Sequence, residues 1–85
     1  MFNLGQIFTT RTVSQSLGFE SIANLISRHH SGDWGDLSED DKALNDEALK
    51  TNDRIFSAYQ VEDERVYIIT EWDRSATTVQ YSDEY

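Results

Sequence analysis

The 85-residue chain has no cysteine and no proline, only seven Lys and Arg, and no long apolar run. Without cysteine it forms neither a disulfide framework nor a thiolate zinc or iron–sulfur site, and the redox compartment stays open. Without proline, and with no internal repeat, low-complexity tract or linker, nothing divides it: residues 1–85 read as one domain with a modest core, too small for a buried cofactor cleft. No apolar stretch approaches the roughly 18–20 residues a membrane span needs. The opening "MFNLGQIFTTRTV" lacks a basic leader and an apolar signal core, so a cytoplasmic protein is the default expectation. The scarcity of cations against sixteen Asp and Glu gives a formal net charge of -9. Such a field repels phosphate and excludes a basic nucleic-acid-binding surface. It leaves two explanations, plain solubility or attraction to a basic partner.

What is present is a set of short periodic runs, with 38% hydrophobic and 12% aromatic residues, which favours a folded chain over a disordered one. Leu4 to Thr10 reads as a short strand or extended lead-in. Thr12 to Leu17 reads as a helical turn that Gly18 ends in a left-handed conformation. In "FESIANLISRHH", Phe19, Ile22, Ala23, Leu25, Ile26 and His29 recur at helical spacing and predict an apolar face, with Gly32 ending the helix. "SGDWGD" predicts a tight loop with Trp34 folded back onto the core. Ser38 then caps "EDDKALNDEALK", whose first turn carries Glu39, Asp40 and Asp41, with Asp41 at the capping-box position. After residue 53 the period changes to two. "RIFSAYQV", "RVYIITEW" and "ATTVQY" predict three antiparallel strands, with Ile55, Ser57 and Tyr59 on one side of the first and Val66, Ile68, Thr70 and Trp72 sharing a face of the second. The expected fold is α+β, with two to three N-terminal helices packed on one face of a three-stranded antiparallel β-meander.

Two clusters carry candidate chemistry. His29, His30, Asp33 and Asp36 have an H-H-x2-D-x2-D spacing that offers nitrogen and oxygen ligands to zinc, manganese or iron. Adjacent helical residues diverge by about 100°, which sets His29 against His30 in a regular helix. The alternative places one histidine at the core edge and the other at the helix C-terminus. The second cluster, "TEWDRSATT", places Asp73 and Arg74 either in a polar site or in a hairpin turn where Asp73 and Ser75 bond backbone amides. Carboxylates at Asp33, Asp36, Glu71 and Asp73 would serve as an acid–base pair only if folding brings them together. No G-x-S-x-G nucleophile turn and no phosphate-binding P-loop is present.

The run "SGDWGDLSEDDKALNDEAL", with "RIFSAY", "ITEWDRSATT" and a terminal "EY", resembles a family of small bacterial proteins carried on plasmids, phages and other mobile elements. Its members bear labels such as plasmid-related protein or type I restriction methyltransferase subunit. The likeness spans roughly residues 4–85, although the family has leucine and proline where this chain has "VQYSDEY". A methyltransferase activity does not fit, since 85 residues cannot build the doubly wound domain and no G-x-G cofactor motif occurs. What the resemblance implies is a mobile-element setting, where small acidic proteins blunt host defence.

The expectation is therefore a non-enzymatic interaction protein without a cofactor, binding a basic nucleic-acid-handling host protein in an anti-restriction or anti-CRISPR manner. Asp33, Asp36, Glu39, Asp40, Asp46 and Glu47 would supply the carboxylates, Trp34 an aromatic anchor if exposed, and Asp73 with Arg74 a polar flank. Two alternatives stand beside it. One is a metal-binding protein or metal-assisted enzyme built on His29, His30, Asp33 and Asp36; the other is a self-associating subunit that pairs its sheet with a copy of itself, as a homodimer.

Overall fold

A computed structural model describes residues 2–85. Along the chain run β1 (Gln6–Thr9), α1 (Arg11–Ser16), α2 (Phe19–His30), α3 (Glu39–Thr51), β2 (Ile55–Val61), β3 (Glu64–Thr70), β4 (Ala76–Tyr81) and a closing 3-10 turn, Ser82–Glu84. The α+β class holds, but the sheet is not a three-stranded meander. It has four strands in the order β1-β4-β3-β2, and β1 joins β4 in parallel, with Gln6 opposite Ala76 and Thr9 opposite Val79. The three C-terminal strands do form the antiparallel succession, with Ser57 opposite Ile68 and Ile69 opposite Thr78.

The inner face of the sheet carries Ile55, Ser57 and Tyr59 from β2, Val66, Ile68 and Thr70 from β3, and Thr77, Val79 and Tyr81 from β4, all buried. Trp72 lies beyond the end of β3 and is exposed. Two apolar clusters form against this face. Val13 of α1 and Leu25 of α2 pack with Tyr59, Val66, Ile68, Val79 and Tyr81, while Trp34, Ala48 and Ile55 pack with Phe2, Leu37 and Leu49. On the other side of the sheet, Tyr85 returns against Phe56 and Tyr67, at ring-centroid distances of 5.6 and 5.8 Å.

The caps differ in part from expectation. Ser38 Oγ accepts the Asp41 amide at 3.1 Å and starts α3, and Gly32, at φ +89°, follows the end of α2. Gly18 does not end α1 in the left-handed region; Leu17 closes that helix in an extended conformation and Gly18, at φ -71°, is the cap of α2. Phe19, expected on the core face, is 86% exposed. The apolar stripe of α2 begins one turn before the sheet beneath it offers a partner.

The two sheet edges are treated differently. Along β2, the Asn45 side chain donates to the Phe56 carbonyl at 2.7 Å and accepts the Phe56 amide at 3.0 Å, replacing a missing strand. Beside it, Asp36 N–H donates to the Ala58 carbonyl at 2.6 Å and Ala58 N–H to the Trp34 carbonyl at 3.2 Å. This approach requires glycine at position 35, where φ is +79° and a Cβ would collide with the Ala58 carbonyl oxygen. A covered edge is closed to further pairing.

Because Asn45 is buried and satisfies both backbone groups of Phe56, Asn45→Ala is expected to lower unfolding free energy by about 2 kcal/mol, the cost of orphaned polar groups. Urea denaturation measures it; a loss under about half that would mean water replaces the amide.

Candidate functional site

His29 stands in the last turn of α2 and is fully buried. Its Nδ1 lies 2.6 Å from Ser57 Oγ and its Nε2 lies 2.8 Å from Thr70 Oγ1, which is 2.7 Å from Thr77 Oγ1; Thr77 donates to the Leu4 carbonyl at 2.7 Å. The carbonyl fixes the direction of every bond. Thr77 spends its proton on Leu4, so it accepts from Thr70; Thr70 therefore accepts from Nε2–H, and Nδ1 accepts from Ser57. The imidazole is neutral, and burial, with a smaller contribution from His30, lowers its pKa to about 4. Ser57, Thr70 and Thr77 are as buried as His29, so this serine–histidine pair has no access to substrate.

His30 points elsewhere, donating Nε2–H to the Phe2 carbonyl at 2.8 Å. Asp33 accepts Arg28 Nε at 2.7 Å, and that hydrogen bond holds its carboxyl below the usual range. Asp36 accepts Arg65 at 3.2 Å. His29, His30, Asp33 and Asp36 are thus not brought onto one ion. Among the described residues no group of three or more His, Asp or Glu is arranged to hold a metal.

Trp34 is 5% exposed, with its ring edge-on to His29 at 6.0 Å and its Nε1–H donated to Asp46 at 3.0 Å. It holds the loop to α3 and is not a surface anchor. Asp73 accepts the Ser75 amide and hydroxyl, which lowers its carboxyl pKa and closes the turn. Arg74, at φ +59°, sends its guanidinium to the carbonyls of Asp53, Glu71 and Ala48 at 2.7, 3.1 and 3.0 Å. It ties the C-terminal end of α3 to the β3–β4 turn, so the hydrogen bonds of this pair serve the packing of the turn against the helix.

The remaining acids are exposed on α3. Asp40, Leu44 and Glu47 recur at four- and three-residue spacing along one exposed side of the helix, with Leu44 bordering the buried Asn45 and Ala48 and the two acids turned further from them. Leu44 is 67% exposed. Beside it runs a groove of about 320 Å³ lined by Leu37, Asp41, Leu44, Asn45, Ala48, Asp53, Arg54 and Phe56. Among the described residues Glu39 pairs with Lys42 at 3.4 Å, whereas Asp40, Asp41 and Glu47 form no ion pair. Sequence inspection offered Trp34 as an aromatic anchor if exposed; Trp34 is buried, and the exposed apolar side chain among the α3 acids is Leu44. Its signal was a leucine placed at the edge of the helix's apolar stripe and flanked by acids at both neighbouring turns.

Comparison with known protein families, with curated proteins and with solved structures finds no match. Among the described residues no helix is long and apolar enough to cross a membrane.

Two measurements test this layout. Histidine-selective NMR is expected to show His29 as the neutral Nε2–H tautomer down to about pH 4. Since its folded pKa lies below its unfolded value near 6.5, its stabilising contribution is complete above pH 6.5. It falls by about 3 kcal/mol as pH drops to 4. A charged His29 at pH 6 would overturn the bond directions. Separately, Arg74→Met is expected to cost about 2 kcal/mol in thermal or urea unfolding through the released carbonyls. An unchanged midpoint would return Arg74 to the surface.

Proposed function

We propose that this chain is a non-enzymatic interaction protein whose exposed α3 face engages a basic, nucleic-acid-handling protein at the groove that would otherwise hold nucleic acid. The observation that carries it is the stripe Asp40–Leu44–Glu47, with uncompensated carboxylates around an exposed aliphatic side chain beside an apolar groove. Carboxylates alone attract any cationic surface and lose that attraction to salt. An apolar residue at their centre, next to a groove walled by Leu37 and Phe56, adds a contact that depends on shape. The same helix offers a nucleic-acid-binding protein the charge of a phosphate backbone without its bases. The resemblance to proteins of mobile elements narrows the partner to a host defence component and the outcome to inhibition, in the anti-restriction or anti-CRISPR manner.

The test is tagged capture from bacterial lysate with added DNA as competitor, followed by direct affinity measurement on the proteins retained. Asp40→Lys/Glu47→Lys and Leu44→Asp are compared with Glu62→Lys/Glu64→Lys, which changes net charge equally on the β2–β3 turn. The expected result is a DNA-competed nucleic-acid-binding protein whose affinity falls on the order of tenfold or more with either α3 variant and little with the turn variant. Equal losses in the two charge variants would reduce the interaction to bulk charge and sink the proposal, as would capture that DNA fails to compete.

A further inference from the structure

At the end of the sheet remote from α3, β1 is an edge strand without protection. All four of its residues are exposed, Ile7 by 48% and Phe8 by 49%. Gln6 and Thr10 direct their amides to the Ser75 and Val79 carbonyls of the β4 side, at 3.0 and 3.1 Å. In a parallel ladder the alternate residues then face away, so Ile7 and Thr9 present their N–H and C=O groups to the open edge. Edge strands are ordinarily guarded by a charge, a proline, a bulge or a covering loop. "QIFT" has no charge and no proline, and its register with β4 is continuous. The β2 edge of the same sheet is covered at Phe56 and Ala58, whereas no such cover lies along β1 among the described residues.

Against the inner side of β1 lies an apolar groove of about 580 Å³, walled by Ile7, Leu17, Phe19, Ile22, Ala23 and Ile26. Among the described residues Phe19 is the most exposed large apolar side chain, and no charged side chain lines the groove.

We propose that a second copy of this chain docks here, the two β1 strands pairing antiparallel about a two-fold axis into a continuous eight-stranded sheet, with each Phe19 and its groove packed across the axis. Charge selects this occupant. Fifteen of the sixteen acidic residues and five of the seven basic ones lie after residue 32, leaving Arg11, Arg28 and Glu20 before it. Two chains of net charge -9 repel each other on most approaches. Docking through β1 brings together two surfaces, the strand and its groove, that among the described residues carry no charged side chain. The acids bordering them are Asp73, bonded to Ser75 beside Gln6, Glu62, Glu64 and Asp83 beyond Leu17, and Glu84, which is engaged by Thr10 Oγ1 at 3.0 Å and the Tyr81 amide at 2.8 Å. The two β2 edges, with their α3 helices, would stand seven strand spacings apart, roughly 34 Å. That is several Debye lengths at ordinary salt, the length being about 10 Å at 0.1 M. A stable dimer buries about 800 Å² per partner, about 15% of the 5240 Å² surface of this chain. The β1 edge and the six groove residues are the contiguous apolar area from which that footprint is drawn. The proposal is independent of what α3 binds.

Sedimentation equilibrium over a concentration series, repeated at low and high salt, tests it. The expected result is a monomer–dimer equilibrium reaching twice the 9.8 kDa chain mass. Association should tighten severalfold as salt screens the residual repulsion, and amide exchange at Ile7 and Thr9 should slow as dimer forms. Phe19→Asp alters an exposed side chain, and Thr9→Pro deletes only an outward N–H, so each should abolish the dimer while leaving the monomer's circular dichroism intact. Monomer at every concentration overturns the proposal, leaving a strand from a different protein as the occupant of the edge. A dimer that survives both variants, or that salt dissociates, overturns it equally by placing the interface elsewhere.

Discussion

A buried neutral imidazole holds this molecule together. From the last turn of α2, His29 accepts from Ser57 on β2 and donates to Thr70 on β3, and the chain of hydroxyls continues through Thr77 on β4 to the carbonyl of Leu4 ahead of β1. Every bond points the same way, so the arrangement tolerates one tautomer and no proton more. It lies between the two apolar clusters: Ser57 stands between Ile55 of one and Tyr59 of the other along β2. The hydroxyl row fixes the rotation of α2 over the sheet. That rotation places the loop after Gly32, which seats Trp34, and Trp34 in turn binds Asp46 on α3. The position of the acidic helix thus traces back to a histidine on which no charge is ever useful.

The same loop that seats Trp34 closes the β2 edge, and the closure has an electrostatic consequence. Asn45 and the Trp34–Asp36 segment bind α3 to that edge, so its acids are held at one extreme of the sheet. Among the described residues β1 and the groove beside it carry no charged side chain. The four strands act as a spacer between a carboxylate surface and an apolar one, so a chain of net charge -9 retains a face set back from most of its own acids.

Much of this was legible in the residues. The capped start of α3, the glycine after α2 and the alternating strands β2 to β4 are local signals, and each lies where its spacing put it. What escaped is non-local. β1 is four residues long and pairs with a strand some seventy positions away, and nothing in "QIFT" specifies a parallel neighbour. Asn45 gave no signal, and Arg74 read as part of a polar site or a turn, because their partners are backbone groups, which a side-chain pattern does not display. The histidine–aspartate spacing looked like a ligand set, yet its members are committed apart from one another, His30 to the Phe2 carbonyl. His29 bonds the hydroxyl row, Asp33 pairs with Arg28 and Asp36 with Arg65.

The acids of α3 do not all have the same explanation. Glu39, Asp40 and Asp41 sit in the first turn, where the helix dipole favours negative charge. Asp46 receives the Trp34 indole. Glu47 has neither reason: it lies well past the first turn, beyond the reach of the favourable end of the dipole, and among the described residues it forms no ion pair. Together with Leu44, whose side chain is left mostly exposed, it is the part of the helix that folding explains least. Residues that stability does not require, placed side by side on a rigid and well-anchored surface, are where recognition is to be sought. Neither Trp34 nor His29 meets that condition, because the core already accounts for them, and exposed His30 is held by the Phe2 carbonyl.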